Sequence, residues 1–517
     1  MSATPVPQAR LGPRDWLTLL CATAAALVLR VAGLGRDALW FDESYRVLLA
    51  SRPPLHAAAT FFYLHCSHPP LYLMLLRAWI ELFGDSELSV RMPSIIAGTA
   101  LVPITFAFAR AHASAGTARL VAIFTCASPV MLYYSQDASM YAMLAVTWIG
   151  VLHFQLVLHK RATLRSWIGF TLCLATSLLL FDLSLILIPA SAAVLIVSGR
   201  THRWRWIATG SAVAVALYGP HFFAALHEVT SEARSYLAAR WRNDQPWTTV
   251  LLAISGLLPG GANSAKGGKL PPDTHLRVGV LFFFLLAVAS ALLARPGERR
   301  KRIAWVLLAW TLVPIACLTA ASLVKPIWDV GRHETAVAPA LLILAASGVR
   351  QWSLRPRALA IGLFLALEGY SLRHFYTEAR PDFVHDSRGV ARFLADSTSA
   401  SDLIVFLGYA REPVEYQMMR LRTARPYYSF PRENEAHHGW VTFKQSTDAA
   451  YYSAEVEALS RRVKQLPPGA CVWLVGFRLG DQMEKIGRAL LKAAPLVTLT
   501  HPGRWRLAGY RQPLPEQ

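Results

Sequence analysis

Mostly apolar runs fill the first 372 residues and then give way to mixed sequence. They cover residues 16–33, 90–109, 118–133, 140–158, 166–181, 183–198, 206–223, 277–294, 303–323, 334–349 and 358–372. About 20 apolar residues in a helix cross about 30 Å of hydrocarbon, so the pattern predicts about 11 crossings, or up to about 13 if shorter runs also cross. The run LYLMLLRAWIELF (71–83) makes only about 20 Å of helix. It carries Arg77 and Glu81, each costly at mid-bilayer, and reads as an interfacial amphipathic helix. VLLAISGLLPGG (250–261) reads as re-entrant or interfacial.

After residue 373 the pattern changes. VARFLADS reads as an amphipathic helix, DLIVFLGY and ACVWLVGF as short buried strands, and MEKIGRALLKAA as a helix after the second strand. The organisation predicted is an α-helical polytopic membrane domain over 1–372 and a small C-terminal α/β domain over 373–517.

Basic clusters orient the spans. They lie at Arg110–Arg119, Lys160–Arg165, Arg200–Arg205, Arg295–Arg302 and Arg350–Arg357. The positive-inside rule makes all of them cytoplasmic, together with the N-terminus. The alternate connections then face outward: 34–89, 133–139, the turn at Asp182, 224–276 and 324–334. Parity keeps 71–83 and 250–261 from crossing. The first run follows Arg10 and Arg14 and reads as an uncleaved first span rather than a signal peptide.

Composition agrees with this reading. The chain is 54% hydrophobic and 16% charged, against about 25% charged in soluble proteins. Its net charge of +20 resides in loop clusters, which argues against nucleic acid as a partner. Six cysteines without a CxxC argue against a disulfide framework or a cysteine zinc site.

The candidate chemistry lies on the outward connections. Asp42 and Glu43 follow the first span. As helix caps they would suit a helix starting near Ser44; as chemistry, they are paired acids at a membrane surface. His68 precedes two prolines, which hold it extended. Arg91 lies just inside a span, where a charge needs a partner or a ligand. Tyr134 and Asp137 share the segment SPVMLYYSQDASMYAML (128–144). Lys325, Arg332 and His333 form an outward cationic group that the positive-inside rule disfavours, and a phosphate ligand would account for it.

Taken together, WFDESY (40–45), HPPLYLMLLRAWIELFGDSELSVRMPS (68–94), SPVMLYYSQDASMYAML (128–144) and GRHETAVAPALLIL (331–344) resemble the GT-C fold polytopic glycosyltransferases. That superfamily includes protein O-mannosyltransferases, aminoarabinose transferases and bacterial lipopolysaccharide glycosyltransferases. DSRGVARFLADSTSASDLIVF (386–406) is similar to the start of the outer domain of bacterial members. The resemblance implies an inverting glycosyltransferase with a polyprenyl-phosphate sugar donor and a hydroxyl acceptor on a glycan, lipid or protein. It implies a multi-pass protein of the bacterial cytoplasmic membrane, with site and C-terminal domain periplasmic and membrane lipids as surroundings.

Residue by residue, the resemblance makes Asp42 the general base and Glu43 its neighbour at the reaction centre. His68, Arg91, Tyr134, Asp137, Lys325, Arg332 and His333 become substrate-binding candidates. A divalent metal, if used, would draw on Glu43, His68 and Asp137. Two departures bear on substrate identity more than on reaction class. Relatives read SQEARMYA where this chain has Ser139, and His333 replaces the tyrosine of an RY pair. A flippase or transporter would instead place charges near mid-membrane and show repeats. A non-catalytic lipid-binding scaffold would not need Asp42.

Overall fold

The computed structural model describes residues 11–51, 69–230, 285–293, 298–324, 327–328, 332–377, 387–432, 449–477, 497–501 and 505–511. Helix α1 (Pro13–Val31) leads through an extended connection to α2 (Phe41–Ser51). Helix α3 (Leu71–Phe83) coincides with the run expected to lie at the interface. The helices α4 (Met92–His112), α5 (Ala115–Ala127), α6 (Pro129–Ser135), α7 (Tyr141–Lys160), α8 (Leu164–Leu180), α9 (Leu187–Val197) and α10 (Trp204–Thr230) follow. Helices α11 (Glu298–Val324), α12 (Ala338–Val349) and α13 (Leu354–Thr377) complete the bundle.

This is a multi-pass helical membrane protein. Large apolar side chains such as Leu17, Leu20, Val28, Leu172 and Leu359 stand exposed around the bundle, where hydrocarbon rather than water suits them. Among the described residues, three helices are long and apolar enough to cross: Ser89–His112, α7 and Arg302–Val324. The bent pair α5–α6 makes a fourth. Two further expected spans, 183–198 and 334–349, begin as tight 3₁₀ turns at Asp182–Ile186 and Thr335–Val337 before continuing as α9 and α12. Their α-helical parts are correspondingly shorter than a full span. The expected re-entrant run 250–261 lies outside the described residues.

The expected single span 118–133 is broken. Pro129 opens α6 and pushes Ser128 out of helical geometry, so α5 and α6 meet at 55°. The break leaves carbonyls of the last turn of α5 without helical partners. Arg30, fully buried in α1, reaches toward them: its guanidinium lies 3.5 Å from both Thr125 O and Cys126 O. It also donates to Ser135 Oγ at 3.0 Å and to Ala26 O at 3.1 Å. Gly98 leaves the room for this contact. A Cβ there would stand 1.8 Å from Ser135 Oγ and 3.1 Å from Arg30 Nε. Gly98→Ala is therefore expected to lower thermal stability in detergent by about 1–3 kcal/mol, the usual cost of overpacking a close-packed core, checked by comparing unfolding temperatures.

C-terminal to the bundle stands a five-stranded sheet of order β2-β1-β3-β5-β4. Its strands are β1 (Leu403–Leu407), β2 (Tyr427–Phe430), β3 (Cys471–Phe477), β4 (Val497–His501) and β5 (Trp505–Arg511). Strands β2, β1 and β3 are parallel, while β5 runs antiparallel to β3 and β4. Its helices are α14 (Ser387–Ser397), α15 (Arg411–Arg420) and α16 (Ala449–Lys464). Side chains alternate across the sheet. Leu403, Val405 and Leu407 pack with Leu459 and Val463 of α16. Ile404 and Phe406 pack on the other face with Val390 and Leu394 of α14 and Val414 of α15. Both faces of β1 are thus covered, which suits the unbroken apolar sequence LIVFL of a parallel strand. The sheet unit touches the bundle through α15: Tyr416 is buried within the core cluster of the membrane helices.

Candidate active site

Helix α2 starts at Phe41, just past Trp40, and so carries both acids in its first turn. Trp40 O accepts from Ser44 N, and Ser44 Oγ reaches back to Leu39 O at 3.3 Å. The first turn then presents Asp42 and Glu43 at the positive end of the helix. The two carboxylates have different surroundings, and these separate their roles.

Glu43 is fully buried. Its Oε1 accepts from Arg91 Nε at 2.7 Å and from Ala138 N at 2.9 Å. Its Oε2 accepts from Arg91 Nη2 at 2.7 Å and from Trp40 N at 3.2 Å. A carboxylate offers about four acceptor positions, and these donors occupy them. The geometry thus has Glu43 holding Arg91, Ala138 N and Trp40 N, where the resemblance implied a catalytic or metal-ligating role.

Arg91 mirrors this arrangement. It donates from Nη1 to Leu34 O at 3.0 Å and Asp37 O at 3.1 Å, and from Nη2 to Ala38 O at 3.3 Å. With its two bonds to Glu43, the five guanidinium donors are used. Arg91 had been a substrate-binding candidate, but no donor is left for a substrate. Its partner within the span is Glu43, and together they tie the connection 34–38 to α2.

Asp42 is placed otherwise. Its Oδ2 pairs with Arg332 Nη1 at 2.9 Å and lies 3.8 Å from Arg46 Nη2. Its Oδ1 has no hydrogen-bond partner among the described residues. The guanidinium of Arg332 lies over the Trp40 ring, 4.8 Å from its centroid. That ring is fixed from below, because Trp40 Nε1 donates to Asp137 Oδ1 at 2.7 Å. Trp40 and Asp42, at the start of α2, and Arg332, from the connection between α11 and α12, therefore meet in one place.

Asp137 is deeply buried beside Glu43 and Arg46. Burial first, and the Glu43 carboxylate second, raise its carboxyl above the usual range, offset in part by Arg46 and Trp40. That setting suits a support for Trp40 better than a metal ligand. His68 and Lys325, the remaining substrate candidates on these connections, lie outside the described residues. Among the described residues no group of three His, Cys, Asp or Glu side chains converges as a cation site would require, and Glu43 is fully occupied.

Tyr134 and His333 belong to an aromatic chain beside this centre. Tyr134 meets Tyr141 at 4.9 Å between ring centroids, Tyr141 meets Phe181 at 5.9 Å, and Phe181 meets His333 at 5.1 Å. Tyr134 is buried in it, and His333 is half-buried at its end.

The sequence reading missed Trp40 and Arg46. Trp40 opens the motif and Arg46 directly follows it. Arg46, one turn after Asp42, is charged, buried, and donates to Ala138 O at 3.4 Å. A cation at i+4 from an acid was the available signal. Removing the ring face by Trp40→Leu is expected to loosen Arg332 by about 0.5–2 kcal/mol, checked as a lowered unfolding temperature in detergent.

Residues 67–223 match the family model described as dolichyl-phosphate-mannose-protein mannosyltransferase. No curated protein sequence matches the chain. Among solved structures, the apo ArnT of Cupriavidus metallidurans aligns at 15% identity and TM-score 0.65, covering 96% of this chain and 98% of that one. The same protein bound to undecaprenyl phosphate aligns at 14% identity and TM-score 0.63, with 96% and 98% covered. The oligosaccharyltransferase AglB of Archaeoglobus fulgidus, in complex with an inhibitory peptide and a dolichol-phosphate, aligns at 12% identity and TM-score 0.55, covering 92% and 71%. The chain thus has the GT-C fold of polytopic membrane glycosyltransferases.

Proposed function

We propose that this protein is an inverting glycosyltransferase that moves a sugar from a polyprenyl phosphate to a hydroxyl acceptor. The observation that carries this reading is the Asp42–Arg332 pair. It sets a carboxylate, one oxygen of which has no hydrogen-bond partner among the described residues, against a guanidinium. Displacement at an anomeric carbon needs a base for the acceptor proton and positive charge where the leaving phosphate gains negative charge. Asp42 Oδ1 supplies the first. Arg332 supplies the second when it turns from Asp42 Oδ2 to the phosphate, and Trp40 holds it within reach of both. The neighbouring structures that contain undecaprenyl phosphate and dolichol-phosphate support a polyprenyl phosphate as the donor carrier.

In this reading the bundle lies in a bacterial cytoplasmic membrane with Asp42 on the periplasmic side. The donor has already been flipped, and the acceptor is a glycan, lipid or protein at the cell surface. The membrane domain, expected over 1–372, runs through α13 to Thr377 and is the catalytic one in this reading; the sheet unit that starts with α14 at Ser387 is a second, periplasmic domain.

The test is lipid mass spectrometry on membranes of a deletion strain. The expected result is accumulation of one polyprenyl-phosphate sugar, with a surface glycan or glycoprotein lighter by the same residue. Unchanged lipids and glycans, after paralogous transferases are also deleted, would count against the reading. In a second test, Arg332→Lys keeps the charge but loses the planar contact with Trp40. It is expected to retain measurable transfer, while Arg332→Ala loses it.

A further inference from the structure

The connection between α1 and α2 has an unusual backbone. It is neither helix nor strand, yet each carbonyl from Ala32 to Trp40 has a donor. Gln136 Nε2 serves Ala32 O at 2.9 Å. Arg36 N serves Gly33 O at 3.1 Å. Arg91 serves Leu34 O, Asp37 O and Ala38 O. Ser44 serves Leu39 O and Trp40 O. The two carbonyls left, Gly35 O and Arg36 O, are served by a residue of the sheet unit: Arg388 donates from Nη2 to Gly35 O at 3.1 Å and from Nη1 to Arg36 O at 3.4 Å.

Arg388 is itself held. Its Nε donates to Glu87 Oε1 at 3.1 Å, and its Nη2 also pairs with Glu87 Oε2. Gln417 of α15 donates to the same carboxylate. Next to it, Tyr416 OH donates to Asp85 O at 2.8 Å. Glu87 lies four residues before Arg91 and adds to the negative field around that guanidinium. Charges thus alternate from the sheet unit to the acid-bearing helix in the order Arg388, Glu87, Arg91, Glu43. Two arginines, one from each unit, grip five consecutive carbonyls, and Trp40 and Asp42 follow within four residues of the last.

We infer that Arg388 is a positioning residue for the transfer reaction, acting through the 34–38 connection on Asp42. This inference rests on the proposed transferase reading and extends it. The sheet unit then contributes to the chemical step itself through a defined contact. The physical argument is one of reach: a shift of about 1 Å in a catalytic group costs up to about 100-fold in rate. The gripped segment is too short to absorb a slip before Asp42.

Two readouts on the full chain in detergent test it. The first is transfer from undecaprenyl-phosphate hexose or pentose to washed membranes of the deletion strain, with donor titrated. Arg388→Ala is expected to lower kcat about 10- to 100-fold and to leave the donor KM within about twofold. Glu87→Gln should do the same. Arg388→Lys should recover part of the loss, since it keeps the charge beside Glu87 but not both carbonyl contacts. Arg461→Ala, which breaks only an exposed pair with Glu457, should match wild type and report any general effect of altering the sheet unit. The second readout is hydrogen exchange over residues 32–40, expected to quicken in Arg388→Ala and not in Arg461→Ala.

An unchanged kcat in Arg388→Ala overturns the inference. So does a raised KM with kcat intact, which would make Arg388 a substrate contact. If wild type transfers from no polyprenyl-phosphate donor, the transferase reading fails and the positioning role in transfer falls with it. Exchange over 32–40 still decides whether the grip exists.

Discussion

Asp42→Asn is expected to abolish most of the transfer while leaving the protein folded and able to bind its donor. The amide keeps the shape of the carboxyl and the acceptor oxygen that faces Arg332, but it cannot take a proton from an attacking hydroxyl. General-base catalysis contributes about 10²- to 10⁴-fold, so a fall of that size in kcat is expected, with a smaller change in donor KM. Cells carrying only this variant should accumulate the same polyprenyl-phosphate sugar as a deletion strain. A variant with wild-type turnover would remove Asp42 from the chemistry and leave the fold assignment standing. Glu43→Gln provides the contrast. If Glu43 were the base, both variants would lose kcat with stability intact. In the geometry found here, Glu43→Gln loses thermal stability as well, because it weakens the buried contact with Arg91.

The bundle was legible from hydropathy because lipid demands long uninterrupted apolar helices. Helices α4 and α7 fall within a few residues of the expected spans. The broken helix at Ser128–Pro129 was not read, although Pro129 was visible, because hydropathy averages over a proline. The start of the sheet unit was also legible: α14, β1 and β3 lie where an amphipathic helix and two apolar runs were expected. The expected helix MEKIGRALLKAA lies outside the described residues. Strand β2 escaped notice because four residues, YYSF, carry no periodicity to detect. Helix α15 escaped because its buried face includes Arg411, Glu412 and Gln417, which a hydrophobic pattern scores as solvent-exposed.

At the site, residue type was informative and partnership was not. The motif identified Asp42, Glu43, Arg91, Asp137 and Arg332, and the structure brings all five together. Which acid stays open and which is consumed depends on Arg91, 48 residues from Glu43 in sequence. It depends equally on Arg332, which arrives from the far end of the bundle. A sequence shows two adjacent acids as equivalents. Only the third dimension supplies four donors to one and leaves an oxygen of the other without a partner among the described residues.

Arg91→Met should be the most damaging single substitution for stability among these residues. It removes the cation from a buried carboxylate and strips donors from Leu34 O, Asp37 O and Ala38 O at once. Breaking a buried pair by deleting one partner costs about 3–5 kcal/mol, a large share of the 5–15 kcal/mol that holds a typical domain together. The irreversible unfolding temperature in detergent, at a fixed scan rate, is expected to drop well below wild type. Glu43→Gln combined with Arg91→Met should be more stable than Arg91→Met alone, because the unpaired carboxylate is gone. It should remain below wild type, because the three carbonyls still lack donors and each uncompensated buried polar group costs about 1–3 kcal/mol. Additive losses would mean that the two side chains do not act as a pair. A double variant as stable as wild type would mean that the carbonyls find water instead, and that Arg91 serves Glu43 alone. The combination expected here, partial rescue of stability without rescue of transfer, ties the buried pair to the placement of Asp42: the charges can be removed together, but the connection they hold cannot be released without moving Asp42.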